Sequence, residues 1–374
     1  MIPLFKVAMN PEANKAVGKV LSSGFIGQGE VVEKFELDLK ICFNNPYLVT
    51  VNSGTSALHL ALRLIKDKHP DKKYIISTPL TCTATNWAIL AAGFKIIWAD
   101  IEPNTLNICP LSVLNKSQEE DAYLDIAAVM VVHWGGAPAD VKKIKALTGL
   151  DIIEDCAHAF GSYYELPATQ DEGTKVGNSG NYCCFSFQAI KHLTTGDGGM
   201  LILPGEYEYK KAKLLRWYGI DREGDRKDFR CEEPIKNWGY KFHMNDINAA
   251  IGIENLKIVG DNIRRHIDNA TYYSKQFPSA LCSLGTFDFD LGSAYWIYSV
   301  LVSKRDDFQR AMKDRGVMTS QVHERNDLHP CVAKFKTELP NLEKVIGKLS
   351  SIPVGWWVTD EDREFIVEQI KKGW

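Results

Sequence analysis

The sequence predicts an α/β protein built around a mostly parallel sheet. Short apolar or β-branched runs alternate with longer segments whose apolar residues recur at helical spacing. Such alternation forms strand–helix–strand units, with helices covering both faces of the sheet. Ligands of such sheets bind beyond the carboxyl ends of the strands, so functional residues are expected just after strands.

Seven strands and three intervening helices are predicted in the first part of the chain. The strand-like runs lie at residues 47–51, 74–77, 95–99, 128–133, 151–154, 182–187 and 199–203. Helical spacing predicts helices at residues 56–66, 83–92 and 141–148. Each of these helices follows a predicted strand, as the strand–helix–strand pattern requires.

The last third of the chain predicts a smaller second domain. Asn245 is a plausible N-cap for one long helix that runs through Ile247 to about residue 277. A strand is then predicted at 295–302, a helix at 305–315 that ends before Gly316, and a final helix from about 359. We therefore expect two domains: residues 1–245, and residues 246–374 with the long linking helix and a small α+β unit.

Composition and charge exclude several classes of protein. The chain has 374 residues, of which 45% are hydrophobic and 24% are charged, as in ordinary globular enzymes. A net charge of −3 argues against nucleic-acid binding, and no apolar run is long enough to span a membrane. The 9 scattered cysteines show no CxxC pair, so we expect free thiols in a reducing cytoplasm and no metal site.

The first chemical motif is residues 52–57, between a predicted strand and a predicted helix. Its small residues, including Gly54 and Thr55, let the backbone approach an anion at the amino end of the helix. Taken alone, the motif is more typical of an ordinary capped strand-to-helix turn.

The second motif, residues 152–158, places Glu154 and Asp155 at the end of a strand. Carboxylates there need a partner if they are buried. Asp155 is suited to be the anionic partner of the ring nitrogen of pyridoxal 5'-phosphate, which accepts electrons best when protonated. A helix-capping aspartate is the other interpretation.

The third motif, residues 184–199, combines an apolar strand that ends at Ser186, then Lys191 in a loop, then a glycine-rich turn. A partly desolvated lysine loses its proton easily, and an imine-forming amine must do so. The Ser186 hydroxyl is placed to contact a phosphate, and Gly196, Gly198 and Gly199 permit a tight turn beneath a flat ring.

In chain order these segments closely resemble the DegT/DnrJ/EryC1/StrS family of pyridoxal-phosphate-dependent sugar aminotransferases. The resemblance covers nearly the whole chain, through residues 24–29, 52–60, 132–136, 154–161, 185–199, 238–245 and 352–353. It implies the fold-type I architecture: a large cofactor domain with a mixed, mostly parallel seven-stranded sheet, and a small C-terminal α+β domain. It also implies a homodimer with each active site built from both chains.

The resemblance implies a role for each matching position. Lys191 is the catalytic lysine that binds the cofactor as a Schiff base, Asp155 pairs with the pyridine nitrogen, and His158 lies near the ring hydroxyl. The phosphate is bound at the positions of Gly54, Thr55 and Ser186.

Two positions depart from the family pattern. Cys82 stands where a ring usually stacks on the cofactor, and a thiol stacks less well; the nearby Trp87 is a possible substitute. Lys241 stands where relatives place an asparagine that reaches the partner's phosphate, so we expect Lys241 to act across the dimer interface.

The implied reaction is a two-step transamination. L-glutamate gives its amino group to the cofactor, which becomes pyridoxamine phosphate (PMP), and leaves as 2-oxoglutarate; a nucleotide-linked keto-deoxy sugar then accepts the amine. Substrate contacts are expected from Phe25 and from His323, Arg325 and His329 of the small domain. Arginines 216, 222, 226 and 230 are candidates to hold a pyrophosphate or a carboxylate, or form a solvated loop.

Two other functions fit the same fold. The first is a deoxysugar dehydratase that depends on pyridoxal phosphate (PLP) or PMP. Relatives of that kind replace the lysine with histidine, so Lys191 counts against this function. A catalytically silent binding or regulatory member is the other; such a protein has little need for Lys191, Asp155 and Ser186 together.

Overall fold

The structure is a computed structural model that describes residues 1–119, 125–165, 173–224, 234–277 and 292–374. Seven strands form one sheet: β1 (Leu48–Val51), β2 (Tyr74–Ser77), β3 (Lys95–Trp98), β4 (Ile126–Val132), β5 (Asp151–Asp155), β6 (Tyr182–Ser186) and β7 (Gly199–Ile202). Their order is β1-β7-β6-β5-β4-β2-β3. Only β7 runs antiparallel to its neighbours in this sheet. The predicted mixed, mostly parallel sheet is confirmed, and each predicted strand lies within two residues of an observed one.

Helices cover both faces of the sheet. Those before the second domain are α1 (Ala13–Ser23), α2 (Glu30–Phe43), α3 (Gly54–Lys68), α4 (Thr83–Ala91), α5 (Pro110–Ser117), α6 (Val141–Thr148) and α7 (Glu206–Leu215). The buried core on one face includes α3 and α4, and the core on the other includes α2, α5 and α6. Each strand is buried between two apolar layers, as parallel sheets require.

The rest of the chain contains α8 (Asp246–Leu256), α9 (Val259–Gln276), β8 (Tyr298–Leu301), α10 (Arg305–Asp314), α11 (Pro340–Ile346), β9 (Leu349–Ile352) and α12 (Asp360–Lys371). Strands β8 and β9 pair antiparallel and share a separate buried core with α9, α10 and α12. This agrees with a small C-terminal α+β unit. No helix of the described residues combines the length and apolarity needed to cross a membrane.

The prediction of one long helix from residue 247 to about 277 is wrong, because α8 and α9 are separate. The amides of Lys257 and Ile258 bond to carbonyls three residues back, which tightens the last turn and ends α8. The Asn255 side chain also bonds to residues outside α8: it donates to the Thr194 carbonyl at 2.8 Å and accepts from the Asn10 amide at 2.8 Å. The predicted cap is confirmed: the Asn245 side chain accepts from the Asn248 amide at 2.9 Å.

The predicted strand at 295–302 begins three residues late, at Tyr298. Tyr295 has a φ of 47°, in the left-handed region, which strand residues do not adopt. The backbone therefore turns at Tyr295 before the strand starts. This turn directs Trp296 toward the loop after β6, where its indole contacts Lys191.

Candidate active site

Lys191 lies in the loop that follows β6, at the carboxyl edge of the sheet. Its amide donates to the Gln188 carbonyl at 2.9 Å, which shapes the turn. Burial lowers the pKa of the Lys191 side chain to about 8, and the negative charge of Asp155 opposes this fall. With this pKa, about a tenth of the Lys191 side chains are neutral amines at pH 7 and about half at pH 8, and the neutral amine is the form that attacks a carbonyl carbon.

Asp155 is the last residue of β5 and is buried. One carboxylate oxygen accepts from the Thr85 hydroxyl at 2.6 Å, and the other accepts from the Ala157 amide at 3.0 Å. Thr85 lies on α4 and its hydroxyl is 2.8 Å from that of Thr81. These bonds fix the carboxylate in one orientation beside Lys191.

Strand alternation separates Asp155 from its neighbour Glu154. Glu154 is fully buried and accepts from His133 at 2.9 Å and Asn181 at 2.8 Å, and also from Tyr164 and Ser179. Cys156 lies close enough to Glu154 and His133 for the three to surround an ion. Because four donors already occupy the carboxylate, we interpret this group as a structural network.

The amino end of α3 forms a cradle with the ends of β6 and β7. A β-carbon on Gly54 would lie 2.8 Å from the Ser186 Cβ, and one on Gly199 would lie 2.8 Å from the Gly54 nitrogen. The Ser53 hydroxyl caps the helix by accepting from the Ser56 amide, while the amides of Gly54 and Thr55 lie in the first turn, where no intrahelical carbonyl can accept from them. Backbone donors, a helix dipole and the Ser186 hydroxyl thus converge as a phosphate requires.

His158 follows β5 and its ring is stacked on Trp296, with centroids 3.9 Å apart and planes at 17°. Its Nδ1 accepts from the Gly135 amide at 3.3 Å, so the neutral ring carries its proton on Nε2. Burial, and then the charge of Lys191, hold the pKa of His158 well below its usual value. The ring is therefore a neutral hydrogen-bond donor.

The structure brings Cys82 and Lys241 to different edges of this region. Cys82 directly precedes α4, is half-buried and interacts electrostatically with Lys191. The Lys241 side chain is exposed, and its carbonyl accepts from the Asn52 side chain at 3.1 Å, beside the cradle. The action of Lys241 across a dimer interface stays a prediction.

The predicted substrate residues of the small domain differ in their surroundings. The His323 ring lies 5.9 Å from that of His158; burial lowers its pKa to about 4, and its Nε2 has no partner among the described residues. Arg325 is buried and bonded to Asp327 at 2.6 and 2.7 Å and to Glu343 at 2.6 Å. Its guanidinium is thus engaged within the protein.

The remaining candidates have contacts of other kinds or lie outside the described residues. His329 packs edge-on against Trp87 at 5.5 Å, and Phe25 is 82% exposed between α1 and α2. Arg216 is buried against Glu36 and the Thr50 carbonyl. Arg222 lies over the Trp217 ring, and residues 226 and 230 are outside the described residues.

Sequence reasoning missed Trp296 and Thr85. Trp296 lay inside a predicted strand, and no local pattern marked the turn at Tyr295 that brings the indole to Lys191. Thr85 is one of several small polar residues at the start of α4, and only the tertiary fold reveals its bond to Asp155. The only signal in the sequence for this bond was a pair of hydroxyl residues, Thr81 and Thr85, one helical turn apart after a predicted strand.

These residues fit pyridoxal phosphate. The cradle at Gly54 supplies donors for a phosphate, and a glycine there lets the helix end lie close to Ser186. Asp155 supplies a fixed anion for the ring nitrogen, and Lys191 supplies an amine whose pKa is about 8. Phosphate cradle, carboxylate and amine all lie at one edge of the sheet, as this cofactor requires.

Comparison with known proteins agrees with this fit. CalS13, a sugar aminotransferase from Micromonospora echinospora, superposes with a TM-score of 0.90 at 39% identity, over 100% of both chains. AtS13 from Actinomadura melliaura superposes with a TM-score of 0.91 at 42% identity, over 100% of this chain and 99% of the other. The spore coat polysaccharide biosynthesis protein SpsC of Bacillus subtilis is 29% identical over 99% of this chain and 96% of its own. The model of the DegT/DnrJ/EryC1/StrS aminotransferase family matches residues 7–371, and the chain therefore belongs to this family of pyridoxal-phosphate-dependent enzymes.

Proposed function

We propose that this enzyme transfers the amino group of L-glutamate to a nucleotide-linked keto-deoxy sugar, with Lys191 as the catalytic residue. The observation that carries the proposal is the position of Lys191, with its lowered pKa, beside Asp155 at the edge of the sheet. The similarity to the sugar aminotransferase CalS13 supports a sugar as the acceptor.

The chain's own residues would hold the cofactor at three points. The cradle of Gly54, Thr55 and Ser186 would bind the phosphate, and Asp155 would keep the ring nitrogen protonated. His158 would donate from Nε2 toward the ring hydroxyl, because its Nδ1 is occupied by the Gly135 amide. Pyridoxal phosphate, when bound, supplies an electron sink that weakens the C–H bond beside the nitrogen.

Lys191 would then have two tasks. It would hold the cofactor covalently at rest, and after the donor amine displaces it, the free amine would remove a proton from the α-carbon of the donor and deliver it to the cofactor carbon on the other side of the bridging nitrogen. Its pKa of about 8 suits both directions of this transfer, because a base works best when its pKa is near the working pH. 2-Oxoglutarate would leave, and the ketone sugar would receive the amine by the reverse path.

The small domain is the proposed source of sugar contacts. The buried Nε2 of His323 has no partner among the described residues, and its ring is nearly parallel to that of His158. Arg325 and His329 follow it in the chain, and Arg325 bonds to Asp327 and Glu343. The Phe25 side chain is exposed on the single chain. To bind substrate, it would have to reach the active site of a partner subunit.

A panel of nucleotide-linked keto sugars tests the acceptor. The enzyme, with L-glutamate, is expected to aminate at least one 3-keto- or 4-keto-6-deoxyhexose, with one 2-oxoglutarate formed per amino sugar. Mass spectrometry of the products and an assay of 2-oxoglutarate measure this. Loss of a hydroxyl from the sugar without a gain of nitrogen would instead show a dehydratase.

We also propose that the enzyme is a homodimer whose active sites are shared. Large apolar side chains are exposed on the single chain, with Phe25 at 82% and Trp238 at 65%. A subunit interface would remove such side chains from water. Lys241, exposed beside the cradle, would then reach the phosphate bound by the partner.

Mixing two inactive variants is expected to restore activity if the sites are shared. Each mixed dimer of Lys191→Ala and Lys241→Glu subunits contains one site with both native lysines, so about a quarter of all sites recover after random exchange. As a control, Lys191→Ala mixed with Asp155→Asn should stay inactive, because both residues belong to the same half-site. No recovery in the first mixture, with exchange verified by mass spectrometry, would contradict the shared site.

A further inference from the structure

Trp296 contacts the catalytic loop in three ways. The Lys191 nitrogen lies 3.5 Å from the centroid of its ring, within the range of a cation–π contact. The His158 ring is stacked on the same indole at 3.9 Å. The indole N–H donates to the carbonyl of Ile190 at 2.8 Å, which fixes the residue before the lysine.

The backbone around Trp296 is itself held on several sides. The carbonyls of Ala294 and Tyr295 accept from His192 at 3.0 Å and His266 at 2.8 Å. The Phe5 ring stacks on the indole at 5.0 Å, so the N-terminal segment covers it. Trp296 is only 3% exposed. A ring held this firmly presents a preformed surface to Lys191.

We propose that Trp296 is a positioning residue that holds the Lys191 amine against its indole face whenever that amine is not bonded to the cofactor. This inference rests on the proposed role of Lys191. The ring attracts the ammonium form through its negative face and keeps water away from the amine. By stacking on His158 it also sets the plane of that imidazole.

The contact between Lys191 and the indole of Trp296 changes the pKa of Lys191 in a direction that physical chemistry fixes. Burial favours the neutral amine, whereas the indole face favours the ammonium and raises the pKa of Lys191. Other titratable groups also interact with Lys191: Cys82, Asp155, His158, His192 and His323. The two histidines at 158 and 323 have pKa values lowered by burial, so they stay neutral while Lys191 titrates.

Trace labelling with acetic anhydride measures the pKa of Lys191 in the cofactor-free protein. With Trp296→Leu, loss of the ring face is expected to lower this pKa by about one unit. Trp296→Phe keeps a ring and should lower it by less than half as much. Trp296→Met gives the same comparison if the leucine variant does not fold. Because neither cofactor nor substrate is used, the result is independent of whether the protein is a transaminase.

Trp356→Leu is the matched control, because Trp356 lines the same small cavity beside Lys191 while its ring lies near Lys6. We expect no change of the Lys191 pKa in this variant. An unchanged or raised pKa in Trp296→Leu would overturn the proposal, since entry of water alone raises it. An equal fall in Trp296→Phe or Trp356→Leu would also overturn it.

Discussion

Replacing Lys191 with alanine is expected to lower the rate of amino transfer by about 10⁴-fold or more, because this one residue is proposed to supply both the covalent hold and the moving proton. The variant should still bind pyridoxal phosphate, since the cradle at Gly54 and the carboxylate of Asp155 remain. The bound cofactor would lack the visible absorption of its lysine-linked form. Kinetics and an absorption spectrum of the same sample measure both effects.

Lys191→Arg is the matched control for charge. Arginine keeps a cation over Trp296 but neither forms the covalent link nor gives up a proton at working pH. It is therefore expected to be as inactive as the alanine variant. Appreciable activity in either variant would contradict the assignment of Lys191.

The pKa of about 8 also predicts how cofactor capture depends on pH in the native enzyme. Only the neutral amine attacks the aldehyde, so the rate of capture should rise about tenfold per pH unit below 8 and level off above it. The sign follows from burial, which favours the neutral form. Stopped-flow absorption measures this rate, and the Lys191 variants should show no such phase.

Replacing Asp155 with asparagine is expected to lower the rate by about 10²- to 10³-fold. Asparagine has nearly the same shape but no charge, so the ring nitrogen would lose the anion that keeps it protonated. Because the Thr85 hydroxyl can still bond to the new side chain, the fold should be retained. The main loss should appear in kcat, since the phosphate cradle is unchanged.

Asp151 offers a control on the same strand. It lies at the opposite end of β5, half-buried, where it pairs with Lys68 and His69, each at 2.8 Å. Asp151→Asn removes the same charge from the same strand and should leave kcat unchanged, with a loss of stability of about 1 kcal/mol or less. Equal losses of kcat in the two variants would show that Asp155 acts only through stability.

The sequence carried enough local information to place the sheet and the lysine. The strands are short apolar runs bounded by turns, and periodicity alone marks them. Lys191 and Asp155 follow strands β6 and β5, and parallel strands bring their carboxyl ends to one edge. The resemblance to the family then assigned each position an expected role, and phosphate binding at the cradle of Gly54 stays a prediction.

What the sequence did not show depends on tertiary contacts. The break between α8 and α9 interrupts a continuous helical pattern, because Asn255 is drawn to Thr194 and Asn10. Trp296 enters the site through a left-handed residue inside an apparent strand. No local pattern reveals that the Arg325 guanidinium bonds to Asp327 and Glu343, and its contact with substrate stays a prediction.

The most direct test of the central claim is the first half-reaction with L-glutamate in the absence of any sugar. The cofactor-loaded enzyme should release about one 2-oxoglutarate per subunit in a single burst and then stop, while the visible absorption of the lysine-linked cofactor disappears. Lys191→Ala should release none on this timescale. No burst, or continuous release of 2-oxoglutarate without an acceptor, would contradict amino transfer from glutamate through Lys191.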